Sequence, residues 1–319
     1  MQSFFLKFYI IFFSFYYEVI YTYFAINKGL TKFVLQNILI SKSTLMYSVL
    51  DKDIIKREIV PYLPLAKRGF QATVPLEEIV NAVLYKLKTG VQWHQLPVKA
   101  LFEEIVLSWE CVYYHYRKWC VADVLKKNWI SLLEKYKSKL DLSSVDFDGS
   151  HTSAIRGGEE VEYQGRKKRK TTNSLYLSDR QGLPLAISAP VAGNHNDLFN
   201  IEVQFEIVTG TLEQANIPVE GLFLNADAGF DSKEFRLCCE KKEINANICF
   251  NKRNGNTDRD EYFDQELYNE RYKIERTNAW IDSFRSLLNR FDTTVASWLG
   301  FNYLAFIVIA LKKFNKIKV

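Results

Sequence analysis

Near Leu140 the apolar period of the chain changes, and that change restricts the possible folds more than any other feature. Upstream, apolar residues recur every three or four positions, as on one face of a helix. Downstream they alternate or come in short runs, as in strands. SVDF (144–147) reads as a short strand ending at Asp148. Residues 174–177 and 183–188 read as a hairpin around Asp179, Arg180, Gln181 and Gly182. A helix follows Asp197, and GLFLN (221–225) is a strand ending near Asp227. Residues 232–242 form the next helix, INANICF (244–250) the last strand, and the polar run 251–260 a loop.

A long helix, YNERYKIERTNAWIDSFRSLLNRF (268–291), closes the set. Its apolar stripe is Trp280, Phe284, Leu287 and Phe291. Glu275 falls away from that stripe, with Tyr268 and Asp282 on its own face and Arg271 one turn before it. The order strand, two hairpin strands, helix, strand, helix, strand, helix is that of a ribonuclease-H-like α/β domain, a mixed five-stranded sheet flanked by helices. The tail, 301–311, is apolar but about half a membrane span, and reads as a packing helix.

Before Leu140 the pattern predicts a small all-α domain, residues 46–140, ahead of the α/β domain at 141–319. Pro75 opens a helix with Leu76, Ile79, Val80, Val83, Leu84 and Leu87 on one face, and Gly90 closes it. Phe102, Ile105, Trp109, Val112 and Tyr116 mark a second. Asp123 stands as cap of a third, with Leu125, Trp129, Leu132 and Tyr136 facing inward. Short helices with tight turns suit a helix-turn-helix-like DNA-binding unit, or any small helical domain.

Residues 1–45 do not fit either part. Residues 4–26 are dense in Phe, Tyr and Ile, but Lys7 and Glu18 interrupt them and no small-residue cleavage site follows. Met46 is the only methionine besides Met1. The leader therefore reads as an over-extended start, with translation beginning at Met46, and a membrane anchor as the alternative. The five cysteines show no C-x-x-C spacing and fit reduced thiols in a cytoplasmic protein. Four scattered histidines argue against a His-rich metal site, and no phosphate-binding glycine motif points to a small-molecule cofactor. A net charge of +5 is compatible with a polyanionic partner.

In this layout Asp148 leaves the first strand, Asp227 leaves the fourth, and Glu275 projects from the closing helix. Three carboxylates at one sheet edge repel unless a cation neutralises them. Oxygen-only donors select Mg²⁺ or Mn²⁺. Two such ions roughly 3.5–4 Å apart activate an attacking oxygen and stabilise a leaving one in phosphodiester displacement.

The runs DFDGSH (146–151), LNADAGFDS (224–232) and YKIERTNAWIDSFRSLLNRF (272–291) resemble the three signature blocks of bacterial insertion-sequence DDE transposases, in particular the insertion-sequence-five group. SDRQGLPLAI (178–187), GNHNDL (193–198), YKLKTGVQWHQLP (85–97) and VYYHYRKW (112–119) are similar to further segments of that group. The resemblance runs from about Met46 to the C-terminus. It implies Asp148, Asp227 and Glu275 as the catalytic, metal-binding triad, with Tyr268 and Arg271 contacting DNA phosphate near the scissile bond. A basic residue stands seven past the Glu in the related pattern; here that position is Asp282, and Arg285 is the stand-in.

Ser150 and His151 follow the first Asp, where they orient a ligand or form a turn. Asp231 competes with Asp227 as ligand but falls where it caps the following helix. His195, Asn196 and Asp197 read as caps or as support for the site. Arg166, Lys167, Lys168, Arg169 and Lys170 suit backbone tracking of DNA. The whole implies a transposase that binds the terminal inverted repeats of its element, cuts there and joins the ends to target DNA, as a homodimer when two ends are brought together. A metal-dependent nuclease on the same fold, and a non-enzymatic or membrane-associated derivative, are the alternatives.

Overall fold

The computed structural model describes residues 48–64, 74–254 and 263–316. The aromatic leader, Met46 and residues 255–260 of the polar loop lie outside the described residues. Contacts divide the chain into two units, Met1–Tyr47 and Ser48–Val319; the second is described below.

The first part of this unit is helical: α1 (Lys52–Glu58), α2 (Leu76–Thr89), α3 (Val98–Leu101), α4 (Trp109–Val121) and α5 (Val124–Tyr136). Pro75 precedes α2 and Gly90, at φ 70°, ends it in the left-handed conformation that glycine adopts without strain. The second helix starts later than its pattern predicts. Ser108 caps α4 by accepting from the Cys111 amide, and Ile105 upstream is exposed. Asp123 holds the cap position of α5 but in a left-handed conformation, with no side-chain capping bond.

The strands are β1 (Val145–Ala154), β2 (Glu162–Gln164), β3 (Arg169–Asp179), β4 (Pro184–Ile187), β5 (Val191–Ala192), β6 (Phe223–Ala226), β7 (Asn245–Ile248) and β8 (Asn289–Arg290). Helix α6 (Ile201–Gln214) precedes β6, and α7 (Lys233–Lys241) joins β6 to β7. The central order is β4-β3-β1-β6-β7, antiparallel across β4, β3 and β1 and parallel from β1 to β7. That is a ribonuclease-H-like sheet. The short strands β2 and β5 extend the edge at β3, and β8 pairs with the far end of β1. The β3–β4 turn is fastened by Asp179, whose Oδ1 accepts from the Gln181 and Leu183 amides at 2.9 and 2.7 Å.

Strand alternation gives the sheet two distinct faces. Phe147 points to one, packing on Phe205 of α6 and on Phe230 and Phe235. Its neighbours Asp146 and Asp148 point to the other. On that side Tyr176, opposite Asp148 in the ladder, donates to Asn302 Oδ1 at 2.9 Å on α11 (Val295–Phe314).

The closing helix is broken. Its residues form α8 (Gln265–Asn269), a tight turn at 270–272, α9 (Lys273–Asp282) and α10 (Arg285–Leu288). Extended backbone at Phe284 separates the last two. The buried positions of α9 are Ile274, Thr277 and Ile281; Trp280 is half-buried and Phe291 is 44% exposed. The tail helix α11 is 20 residues, long and apolar enough to span a membrane by length and composition, but 78% of that stretch is buried within the protein. It packs as a core helix. The helical layer seals onto it and the sheet: Tyr116 donates to the Ser297 carbonyl, and Trp129 Nε1 donates to the Leu185 carbonyl at 2.8 Å.

Candidate active site

Asp148 lies within β1, not at its end, because the strand continues to Ala154. The parallel β1–β6 register pairs Asp146 with Asn225 and Phe147 with Ala226. One step beyond that register come Asp148 and Asp227, close enough for the Asp227 charge to act on Asp148. Asp227 leaves β6 into a short turn, its Oδ1 accepting from the Gly229 amide at 2.7 Å. Asp231 is locked elsewhere: buried, it accepts from Arg236 at 3.0 Å and from the Asn251 amide at 2.8 Å. It is not the cap of α7, a role taken by Ser232.

Burial pushes the Asp148 carboxyl up to about 6; the Arg271 guanidinium opposes that rise, and the charges of Asp227 and Asp197 add to it. Arg271 Nη1 stands 3.8 Å from Asp148 Oδ1, an ion contact rather than a hydrogen bond. The Tyr268 ring lies 5.9 Å from the same guanidinium. Glu275, Asn278 and Asp282 present one face of α9 to a cavity of about 610 Å³ that Asp148 also lines. Asp227 stands outside that lining. Among the described residues no three Asp, Glu, His or Cys side chains stand close enough to hold one metal ion. The oxygen-only donors and the mutual repulsion at Asp148 nevertheless suit a hard cation.

Asp197 is a member of the site that the sequence left as a cap or support. It is three residues short of the α6 cap position, Asn200, and lies against β1. Its Oδ1 accepts from Asn173 at 2.7 Å and stands 4.0 Å from His151 Nε2. Gly149 makes room for it, since a Cβ there would collide with the Asp197 carboxylate. His151 is pinned by Thr171 at 3.3 Å, and burial lowers its basicity while Asp197 offsets part of that. Ser150 and His195 line the same cavity.

The basic run divides. Arg166 and Lys167 line the cavity, and Lys167 donates to the His151 carbonyl at 2.9 Å. Lys168, Arg169 and Lys170 are exposed on the β2–β3 hairpin. Arg285 is not at the site; its Cβ and backbone face Gly90 of the helical layer.

A buried polar row supports the centre. Asp146 accepts from Asn225 and Asn225 from Asn247, both at 2.9 Å. Asn247 then grips the Asp264 backbone, accepting from its amide at 2.8 Å and donating to its carbonyl at 3.0 Å. Asp264 caps α8, which carries Tyr268. A sequence signal for this row existed in the alternation Asp146-Phe147-Asp148, which puts two acids on one face.

With this geometry in view, two family models match the chain. That of the IS4/5 transposase family matches residues 57–129, and that of the transposase DDE domain matches residues 224–312. Each match spans under a third of the chain, and together they are consistent with a DDE transposase of the IS4/IS5 group. The matches support a DDE transposase enzyme that binds and cleaves DNA, and the DDE domain implies use of a divalent metal. Among curated proteins none matches. Solved structures that resemble it include a piggyBac transposase synaptic complex with hairpin DNA (10% identity, 88% of this chain and 76% of that one, TM-score 0.43). A Mos1 transposase paired-end complex with the left transposon end follows (13%, 76% and 80%, 0.26), as does the Mos1 mariner catalytic domain (11%, 58% and 91%, 0.26). The assignment rests on the family models.

Proposed function

We propose that Asp148, Asp227 and Glu275 carry cleavage at the terminal inverted repeats of an insertion sequence and joining of the freed 3′-hydroxyls to target DNA. The observation that carries this reading is the placement of Asp148 and Asp227 one step beyond the parallel β1–β6 register, where the charge of Asp227 acts on Asp148, with Glu275 on the cavity that Asp148 lines. Mg²⁺ or Mn²⁺, as a pair, would supply the Lewis acidity for an in-line displacement. Asp148 and Asp227 form the fixed half of the metal site, and Glu275 joins them from α9 when DNA is bound. Arg271 holds the Asp148 charge in the free protein and turns to a DNA phosphate on binding, since a guanidinium forks onto phosphate oxygens. Tyr268 and the 166–170 run track the backbone beside it, while Ser150, His151 and Asp197 hold the β1 side of the cavity in place.

Residues 46–140 serve end recognition and 141–319 the chemistry, acting in the cytoplasm as a homodimer when two ends are held together. A strand-transfer assay with pre-cleaved ends tests the reading. Joined product that requires the divalent ion supports it; nicking without joining would leave a nuclease.

A further inference from the structure

A second cavity, of about 400 Å³, opens between the helical layer and the far end of β1, away from the carboxylates. Its walls are aromatic: Trp93, Trp109 and Tyr113 line it, with the Trp93 and Tyr113 rings 5.1 Å apart. Phe291, 44% exposed, lines it from the β8 side, which explains why this position left the apolar stripe of the closing helix.

The charges around it are mostly positive. Arg117 and Arg156 line the cavity, and among the described residues neither makes a salt bridge or hydrogen bond. Lys86, only 4% exposed, also lines it; its ammonium is held by Ser286 Oγ at 3.1 Å and lies 5.6 Å from the Trp93 ring. Burial pushes that amine down, with Asp292 the one charge favouring its protonated form. Two guanidiniums, with a lysine whose charge burial disfavours, against the single carboxylate of Asp292 leave a site that attracts an anion. Flat aromatic faces suit a planar ring, and free guanidiniums suit a phosphate. A nucleotide unit joins the two.

We propose that this cavity receives one unpaired nucleotide of the bound DNA, its base against Trp93 and Tyr113 and its phosphate on Arg117 and Arg156. The proposal rests on the reading of the chain as a protein that engages the ends of its element. Aromatic stacking accepts any base, so the site gives grip rather than sequence readout. Six residues separate Asp148 from the end of β1, roughly 20 Å of strand. The cavity is built from both the helical layer and the β8 side, so its occupant would tie end recognition to the catalytic sheet.

The test uses the full chain and a duplex carrying the element's terminal repeat, with 5-iododeoxyuridine walked through ten positions on either side of the cleavage point. Photocrosslinking followed by peptide mapping should show Trp93, Trp109 or Tyr113 joined to DNA at one or two adjacent positions. Arg156→Glu, at an exposed residue, should lower affinity for this duplex at least tenfold and remove that cross-link. A duplex abasic at the cross-linked position should show no further loss with Trp93→Phe. Cross-links that form only elsewhere, or an Arg156→Glu variant with unchanged affinity and cross-linking, would overturn the nucleotide site while leaving DNA engagement intact. Absence of any cross-link or binding would overturn both.

Discussion

Asp148 and Asp227 stand one position beyond the Phe147–Ala226 pair of the parallel β1–β6 ladder. The Asp227 charge adds to the upward push on the Asp148 carboxyl, a repulsion that a cation or a proton relieves. The consequence is catalytic. Asp148→Asn and Asp227→Asn should each lower cleavage by roughly a thousandfold or more while leaving affinity for end DNA within about threefold, as expected for ligands acting on the reacting phosphate. Single-turnover cleavage with a parallel binding assay checks this.

The same crowding predicts a stability effect. Asp148 is pushed up to about 6 from 3.8, so the folded state binds its proton more tightly than the unfolded one. Its contribution is therefore fully present below about pH 4 and is lost as pH rises through 6. Metal-free Asp148→Asn should be more stable than the parent at pH 7.5, by up to about 3 kcal/mol, with the gain vanishing near pH 4. Thermal melts across that range measure it; an equal gain at both pH values would contradict the burial argument.

Asp231 should behave in the opposite way. It is buried and paired with Arg236, so Asp231→Ala should cost about 3 kcal/mol of stability. The protein that remains folded should still cleave. Chemical denaturation together with cleavage per folded molecule separates this role from that of Asp227.

Asn247 holds both the amide and the carbonyl of Asp264, at the entry to the helix that carries Tyr268. Asn247→Ala strips those two bonds and the one to Asn225, and should cost about 2 kcal/mol or more. Amide exchange at Leu267 and Tyr268 should rise, and salt-dependent DNA affinity should fall, before the β1 amides are affected.

The sheet was legible because its strands alternate and its turns carry the residues that turns need, as at Asp179 to Gly182. The strands that carry Asp148 and lead to Asp227 were legible too, although β1 runs on past Asp148 to Ala154. The break at Ser283 and Phe284 was not, because the residues on both sides keep a helical spacing of apolar groups and only the packed core shows that Phe284 turns inward in extended backbone. Asp197 was equally opaque. Its approach to β1 depends on the missing Cβ of Gly149, a contact between segments nearly fifty residues apart that no local pattern records. Ile105 misled for the converse reason: its helical spacing from Phe102 is real, but Ser108 starts the helix after it.

Binding of Mn²⁺ to the complex of this chain with its end DNA, followed by electron paramagnetic resonance, is the most direct test of the central claim. Asp148→Asn, Asp227→Asn and Glu275→Gln should each weaken Mn²⁺ at least tenfold, and the glutamate variant should do so only when DNA is present. Mn²⁺ affinity in the DNA complex that is unchanged by Glu275→Gln would show that α9 does not complete the site.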